Sequence, residues 1–414
     1  MAKYKSFSSS LIKLVGQTDE EKKSLQLRAL VHRLFFQEKV PKKMIARQLQ
    51  TSRGFVRRWT AAPNQDLAAD KRGWRKGRHR VWDEKTVNRI KDLHQRLVQD
   101  QRQFFCGATA IAQEWHRRYP TTAPPPLRTI GRVLAELGLS GKRRTAKAKG
   151  AARYLCYPEH TIYHDLPGRV LEADFIGKKY LGGGEPLNFI GFSFKQPPKL
   201  RHFQYVPAQT ADAIIKECQR FFERFEKPDY LKVDNCGATI GSGSGQRTLS
   251  RFVCFLLSQQ VIPIFSVPRK PFSQASIEGN NSVFARKFWN RRTFTSQRDV
   301  CQQLQWFNAA SERYCEYGRP AQTKSRHSFV PYVYFIRQVA ADENREGSAY
   351  ISILNEKINL PQAYINYFVL ARWNLQQERL EIYFEKELKA KRIKQMKFTI
   401  NQNASFKRGS LSFG

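Results

Sequence analysis

Acidic residues are scarce in this 414-residue chain, in which 35 aspartates and glutamates stand against 72 lysines and arginines. The resulting formal net charge of +37 exceeds what solubility requires and predicts a polyanionic partner, with nucleic acid as the leading candidate. The alternatives are a generally basic soluble protein, a ribosomal protein and a protein of the membrane surface. At this length the chain has room for about three domains.

The chain also lacks a long apolar run. The longest one, Phe252 to Phe265, is interrupted by three polar residues, so we expect no membrane-spanning segment and no membrane partner. The first residues, MAKYKSFSSSLIKLVG, lack the apolar core and the small-residue cleavage site of a signal peptide. We therefore expect a cytoplasmic protein, associated with the nucleoid if the host is bacterial.

Paired cysteines are missing as well. The seven cysteines are odd in number and form no CxxC pair and no regular spacing, which favours reduced thiols in an intracellular protein. Cys156, His160 and His164 have a spacing that a zinc site could use, but no further ligand pair follows nearby. A zinc site is therefore the less favoured alternative for this segment.

The first 65 residues are predicted to form a helix-turn-helix domain. Apolar residues predict one helix over Leu25–Phe35 and a second after Pro41, and Ser52 can cap a third helix, RGFVRRW. The third helix would pack its apolar face inward and turn its arginines toward the major groove of DNA. A plain three-helix bundle with a solvated basic face is the alternative. The residues predicted to contact DNA here are Arg53, Arg57 and Arg58.

A second helical unit is predicted at residues 82–140 and resembles another helix-turn-helix domain. It comprises a long helix through Val87–Leu97, a shorter helix over 109–118, and the stretch LRTIGRVLAELGL, which Gly138 closes. Arg128, at the start of the last helix, is predicted to contact DNA.

Two segments rich in charge and glycine, 66–81 and 141–164, flank the second unit. Such segments cannot bury a core and are predicted to be basic linkers. Their lysines and arginines are expected to follow DNA phosphates. A merely solvated linker is the alternative.

Past residue 164 the pattern changes from helical periodicity to strands mixed with helices. Residues 165–300 are predicted to hold three strands, a helix, a strand, a helix, a strand and a helix. In chain order these are RVLEADFIGKKYL, LNFIGFSFK, HFQYVPA, Ala211–Phe225, DYLKVDNC, Leu249–Leu257, VIPIFSV and Gln274–Trp289. This is the element order of the RNase H-like fold, although many α/β proteins come close to it.

Three acidic residues stand at informative places in this order. Asp174 lies in the middle of the first strand, Asp234 ends the fourth strand, and Glu278 lies early in the final helix. In the RNase H-like arrangement the first and fourth strands are neighbours and the final helix packs across their ends. A single aspartate at a strand end is usually a cap or a surface charge, but the joint placement of three acids predicts a site.

Three carboxylates in a small volume repel one another, and each loses hydration unless a cation neutralises it. A hard divalent ion resolves both problems, so Mg²⁺ or Mn²⁺ is implied. Two such ions, roughly 4 Å apart, can activate an attacking oxygen and stabilise the leaving oxygen at phosphorus. The pattern therefore predicts Asp174, Asp234 and Glu278 as the catalytic and metal-binding residues of a site for phosphodiester chemistry.

At these residues the chain resembles the retroviral integrase and DDE transposase superfamily. The matching pieces are Asp174 in the first strand, Asp234 followed by Asn235 and Gly237, and PRKPFSQASIEGNN around Glu278. The resemblance implies that the three acids bind metal, with Asp174 shared between both ions. The spacing between Asp234 and Glu278 is longer than in the shortest integrases, and a frequent glycine before the glutamate is missing, which indicates a divergent branch.

Side chains near the glutamate are predicted to contact the DNA end. Asn281 and Arg286 follow Glu278 at spacings that put them roughly on its face of the helix, while Arg269 and Lys270 precede it. A plain solvated face is an equally open alternative for each of them.

The C-terminal region is predicted to hold a helical connector at 301–324, a small β-barrel at 325–386 and a basic tail at 387–414. The runs AYISILN, NYFVLARWN and RLEIYFE alternate as strands of an antiparallel barrel do. The stretch KELKAKRIKQMK is expected to be a helix or an extended arm on DNA. With the helical units, this layout resembles the phage Mu-type and insertion-sequence transposases, which carry such a barrel after the catalytic domain.

Together these features predict a multidomain DNA transposase or integrase that binds the terminal repeats of a mobile element and catalyses strand cleavage and strand transfer. The expected partners are double-stranded DNA, at both the element ends and the target, and further copies of the chain assembled on it. Whether an ATPase helper takes part stays open. Two alternatives remain, an RNase H-like nuclease without strand transfer and a non-catalytic, transposase-derived DNA-binding regulator.

Overall fold

A computed structural model describes most of the chain as two compact units, Met1–Val81 and Trp82–Gly414. The described residues are 20–65, 67, 83–140, 157–182, 184–241, 245–318, 329–342 and 348–401, without the side chains of 20–24 and 271–272. Over these ranges, no helix is both long and apolar enough to cross a membrane. The predicted linker at 66–81, apart from Leu67, and the tail beyond residue 401 lie outside the described residues.

The first unit contains three helices, α1 (Glu20–Phe36), α2 (Lys42–Gln48) and α3 (Arg53–Trp59). Ser52 caps α3 as predicted, because its hydroxyl accepts a hydrogen bond of 3.1 Å from the amide of Phe55. The helices enclose one small core, which includes Val31, Leu34, Ile45, Val56 and Trp59. The three predicted helices are therefore confirmed, and their role in DNA binding stays a prediction.

The second unit begins with helices α4 (Glu84–Gln99), α5 (Ala108–Arg118) and α6 (Leu127–Glu136). Gly138 has a φ of +68°, a left-handed conformation that ends the last helix as predicted. The three predicted helices are thus present.

A nine-stranded mixed sheet dominates the second unit. Its strands, with the strands of a smaller sheet, are β1 (Val170–Lys179), β2 (Leu187–Phe194), β3 (Leu200–Val206), β4 (Tyr230–Val233), β5 (Ile262–Phe265), β6 (Tyr332–Gln338), β7 (Ala340–Ala341), β8 (Ala349–Ile353), β9 (Glu356–Leu360), β10 (Phe368–Asn374), β11 (Arg379–Lys386) and β12 (Lys389–Lys397). The order in the large sheet is β12-β11-β10-β6-β5-β4-β1-β2-β3, and β7, β8 and β9 form the smaller sheet.

Five α-helices of the second unit lie between β3 and β6 in the chain. They are α7 (Ala211–Arg224), α8 (Gly237–Ile240), α9 (Arg251–Ser258), α10 (Ala275–Val283) and α11 (Gln297–Cys315). The element order predicted for residues 165–300 is present, with the short α8 as an addition. Strands β1 and β4 are parallel neighbours, as the RNase H-like arrangement requires.

Alternation along the strands sends successive side chains to opposite faces of the sheet. On one face Leu171 and Leu231 share a core with Phe221 of α7 and Phe252 of α9. On the other face Val170, Tyr230 and Ile264 pack against residues 162–163. Both faces of the central strands are therefore buried, which explains their nearly continuous apolar sequences.

Helices α4 to α6 do not form a core of their own, which corrects the expectation of a separate second domain. Phe104, between α4 and α5, contacts Phe307 of α11 at a ring-centroid distance of 5.1 Å and Phe288, which follows α10, at 6.1 Å. These aromatic residues belong to one hydrophobic cluster that also contains Trp115 and Phe189. The helical unit is thus built onto the domain that carries the predicted site.

The C-terminal strands also differ from the expected barrel. The predicted runs do form strands, but β6 pairs in parallel with β5, so that β6, β10, β11 and β12 extend the central sheet. Among the described residues, neither sheet closes on itself. The basic stretch expected to be a helix or a free arm is strand β12, which pairs with β11. The isolated strand patterns carry no information about this pairing, since register between distant strands depends on the assembled sheet.

Candidate active site at the ends of strands β1 and β4

The register of the sheet brings two of the three predicted acids together. Glu172 of β1 lies directly opposite Lys232 of β4 in a parallel pairing. Two residues further along the chain, Asp174 lies within β1 and Asp234 directly follows the end of β4, so the alternation of the strands turns both toward one face of the sheet. The backbone of Asp234 is fixed as well, because the hydroxyl of Thr239 donates a hydrogen bond of 2.7 Å to its carbonyl oxygen.

Helix α10 brings the third acid, Glu278, toward this place. One turn beyond Glu278, the side-chain amide of Asn281 donates a hydrogen bond of 2.9 Å to Oδ2 of Asp174. The side-chain amide of the preceding residue, Asn280, donates to the hydroxyl of Ser193 on β2. The helix is thus attached to the first two strands by side chains that follow Glu278.

A glycine makes this close approach possible. Gly191 of β2 lies opposite Asp174, and a Cβ atom at this position would stand 3.1 Å from Oδ1 of Asn281. A larger residue would push the amide away from the carboxylate. The place of Gly191 in the strand is therefore explained by helix packing.

The electrostatics indicate that the three acids are near one another. The pKa of Asp174 is raised to about 7, first by burial and then by the negative charge of Asp234, with a smaller contribution from Glu278. The hydrogen bond from Asn281 acts in the opposite direction. Mutual repulsion among carboxylates is the expected behaviour of a site that binds a cation.

The donor set fits a hard divalent metal ion. Carboxylate oxygens are the ligands that Mg²⁺ and Mn²⁺ prefer. The thiol of Cys236 also lies beside Asp234, but burial and the negative charge of Asp234 raise its pKa, which disfavours the thiolate that a softer metal would bind. In addition, Oδ1 of Asn281 is a buried oxygen without a hydrogen-bond partner in the described part of the chain. Within that part, however, no three His, Cys, Asp or Glu side chains stand close enough to form a finished ligand set. Metal binding would therefore require the three carboxylates to move closer together.

A buried ion pair that the sequence did not reveal stands directly behind the acids. Nζ of Lys232 lies 3.4 Å from Oε1 of Glu172, and the hydroxyl of Tyr163 donates to the same carboxylate. Burial lowers the pKa of Lys232. A charged residue at the inward position of each apolar strand, two residues before each aspartate, was the available signal.

Tyr163 lies in a segment that the sequence predicts to be a linker. Residues 157–165 are folded against the sheet, which corrects the end of the linker predicted at 141–164; residues 141–156 lie outside the described residues. The hydroxyl of Tyr157 donates a hydrogen bond of 3.0 Å to the carbonyl oxygen of Ser273, just before α10. The segment therefore supports both β1 and the start of the glutamate-bearing helix.

The residues predicted to contact DNA lie in different places. Arg286, Arg269 and Lys270 are exposed in the second unit, on either side of Glu278 in the chain. Asn281 is partly buried and bonds Asp174, which gives it a role within the site. The remaining residues predicted to contact DNA, Arg128 on α6 and Arg53, Arg57 and Arg58 on α3, are exposed.

The zinc alternative gains no support from the described residues. The rings of His160 and His164 are tilted to each other at a centroid distance of 4.9 Å, and Nδ1 of His160 lies 3.2 Å from a carboxylate oxygen of Asp165. Cys156 lies outside the described residues.

No family model matches the chain, and no curated protein matches it. Similar solved structures include a simian T-cell lymphotropic virus intasome in complex with PP2A regulatory subunit B56 gamma, at 12% identity and a TM-score of 0.32, covering 68% of this chain and 98% of that chain. The catalytic core domain of BIV integrase is 14% identical with a TM-score of 0.24, covering 38% and 86%. A Mos1 transposase paired-end complex with left transposon end is 11% identical with a TM-score of 0.26, covering 72% and 94%. Likeness at this level leaves the function to be argued from the site.

Proposed function

We propose that this protein is a metal-dependent DNA transposase or integrase that cleaves DNA at the ends of a mobile element and joins them to a target. The observation that supports the proposal is the raised pKa of Asp174, about 7, to which burial and the negative charges of Asp234 and Glu278 contribute. Asp174 stands on β1, Asp234 directly follows the neighbouring parallel strand β4, and Glu278 stands on helix α10, which is the element order of an RNase H-like domain.

In this proposal Asp174, Asp234 and Glu278 hold two Mg²⁺ or Mn²⁺ ions. When bound, such ions supply an activated nucleophile and charge stabilisation at phosphorus. The protein's part is to fix the carboxylates. Asn281 orients Asp174 through its amide, and Thr239 holds the backbone at Asp234. Water would be the nucleophile for cleavage, and the freed 3′-hydroxyl of the DNA the nucleophile for joining.

Recognition of the element ends is assigned to the helical parts of the chain. Helix α3 presents Arg53, Arg57 and Arg58 on an exposed face, as a recognition helix in the major groove would. Arg128 offers a further contact from α6, and Arg269, Lys270 and Arg286 would contact the end near the chemistry. Joining requires two ends held together, so the proposal includes a homo-oligomer assembled on double-stranded DNA; an ATPase helper remains an open part of it.

The test is cleavage and strand transfer by purified protein on DNA that carries the inverted repeats flanking the reading frame. Asp174→Asn, Asp234→Asn and Glu278→Gln should each abolish both reactions while leaving end binding nearly unchanged, because each removes a proposed metal ligand and keeps the side-chain shape. Full activity in any of the three variants would overturn the assignment. Calcium should support binding and support chemistry poorly. Cleavage without joining would instead indicate a nuclease of the same fold.

A further inference from the structure

Arg337 of β6 is a charged side chain in an unexpected place. It is only 5% exposed, and burial lowers its pKa to about 9, so the guanidinium is still charged at neutral pH. A buried charge is costly unless its donors are satisfied. Its hydrogen bonds go to neutral oxygens, which are the carbonyl oxygens of Ser352 (2.8 Å), Ile336 (2.9 Å) and Ser266 (3.1 Å) and Oδ1 of Asn235 (3.0 Å).

Two of these acceptors belong to the edge of the sheet that carries the acids. Asn235 directly follows Asp234, and Ser266 directly follows β5. The amide of Asn235 also donates a hydrogen bond of 2.6 Å to the carbonyl oxygen of Ser266. Arg337, Asn235 and Ser266 therefore form a closed triangle of hydrogen bonds beside Asp234.

The same triangle reaches the glutamate-bearing helix. The side-chain amide of Gln274, the residue immediately before α10, donates a hydrogen bond of 3.2 Å to the hydroxyl of Ser266. Next to it, the hydroxyl of Ser273 accepts a bond of 3.2 Å from the amide of Val267. Ser266 thus connects the loop of Asp234 to the start of the helix of Glu278.

We infer that Arg337 is a positioning residue of the active site, which holds Asp234 and Glu278 in mutual alignment through Asn235, Ser266 and Gln274. This inference rests on the proposed function and extends it to the C-terminal strands. Because β6 follows all three acids in the chain, the inference gives this one C-terminal strand, through Arg337, a supporting role at the site. Partners of ligand residues typically change metal affinity or activity by about 10–100-fold when removed.

A matched pair of substitutions separates positioning from general stabilisation. Arg337→Met removes the guanidinium, and Arg372→Met is the control, because Arg372 lies on the adjacent strand β10 and bonds Glu381 at 2.5 Å, away from Asn235 and Ser266. Both variants are compared as full-length protein by cleavage of an end substrate at increasing Mg²⁺ and by the thermal shift that Mn²⁺ induces without DNA.

We expect Arg337→Met to lower kcat by roughly 10–100-fold, to leave KM for DNA nearly unchanged, to raise the half-saturating Mg²⁺ concentration and to reduce the Mn²⁺ shift. Arg337→Lys, which keeps the charge but not the fork of donors, should fall between. Arg372→Met should keep the wild-type metal dependence. A folded Arg337→Met protein with wild-type kcat and Mg²⁺ dependence would overturn the inference.

Asn235→Ala provides the second line of test, since it cuts the triangle without altering the C-terminal strands. If Arg337→Met does not fold, Asn235→Ala alone decides, and wild-type chemistry in it overturns the inference. If both fold, their effects should be clearly less than additive in the double variant, because they break one connection. Absence of any metal-dependent cleavage by the wild-type protein would refute the proposed function instead, and the Mn²⁺ shift would still test Arg337.

Discussion

Among single residues, Asp174 shows most directly how the fold changes the properties of a side chain at the proposed site. Its pKa is raised to about 7 by burial and by Asp234 and Glu278, against an ordinary value of 3.8. The folded, metal-free protein therefore keeps a proton on Asp174 at pH values where the unfolded chain has lost it. Stability consequently falls as the pH rises from about 4 to 7 and levels off above that range.

The fall in stability with rising pH gives a prediction for Asp174→Asn in the presence of a metal chelator. The amide cannot ionise, so at pH 8 the variant should be more stable than wild type by about 1–3 kcal/mol. This is less than ~1.4 kcal/mol for every unit of the pKa shift, added over the whole shift, because the side chain is partly exposed. At pH 4 the difference should shrink toward zero. Urea unfolding at both pH values measures it, with Asp212→Asn, an exposed aspartate paired with Arg251, as the control. An equal difference at both pH values would contradict the shift.

Single residues also show what the sequence could reveal about the site. The places of Asp174, Asp234 and Glu278 on or beside two strands and a helix were predictable because apolar neighbours define those elements, while their role as metal ligands stays a prediction. Arg337 was not predictable, and Lys232 was missed although it stands two residues before Asp234, because a lone charge within an apolar strand is ordinarily a solvated edge residue. Only the assembled sheet shows that Lys232 faces Glu172 and that Arg337 faces Asn235.

At the scale of elements, the sequence predicts most helices and strands and misses how they join. Periodicity marks which face of a helix is apolar but not which distant face covers it, so the pattern of α4 to α6 predicts a domain of their own. Phe104 and Phe105, in the turn between α4 and α5, carry the contact with α11 and have the sequence setting of loop residues. The same limitation hides the pairing of β6 with β5.

Because helices α4 to α6 share a core with the catalytic part, we expect Phe104 to stabilise the whole second unit. Phe104 is 1% exposed and packs on Phe307 and Phe288, the latter directly beyond the helix of Glu278. Phe104→Ala should lower the free energy of unfolding by roughly 3–5 kcal/mol. Leu127→Ala, at a residue of the same helical region that is 50% exposed, should change it by less than about 0.5 kcal/mol.

Urea unfolding of the full-length variants measures both values, and cleavage assays on the folded fraction add a second readout. If α4 to α6 were an independent domain, Phe104→Ala would produce a separate early transition and leave the melting of the catalytic part unchanged. One cooperative transition shifted as a whole is the expected result.

At the scale of the whole molecule, the excess of positive charge has a structural counterpart at the edge of the sheet. Strand β12 is the last strand of the order, and Lys389, Lys391 and Lys397 are exposed on it. Lysines on an edge strand oppose pairing with another sheet, which is sufficient to explain their presence without a ligand. Lys389 and Lys391 lie on one face of this strand and Lys397, beyond a bulge, lies on the other, so the three spread positive charge along the edge, where a phosphate backbone could lie.

Salt dependence separates these two explanations. If DNA lies on β12, affinity for random duplex should fall with salt at a log–log slope of about −0.9 for each phosphate that the protein neutralises. Changing the three lysines to glutamine should then make the slope shallower by about 0.9 for every phosphate that is no longer neutralised. Changing the same residues to arginine is the matched control and should keep the slope, since it keeps the charge. Equilibrium binding between low and moderate salt gives the slope directly. An unchanged slope in the glutamine variant would assign these lysines to protection of the sheet edge, and the +37 charge of the chain would then act on DNA through other surfaces.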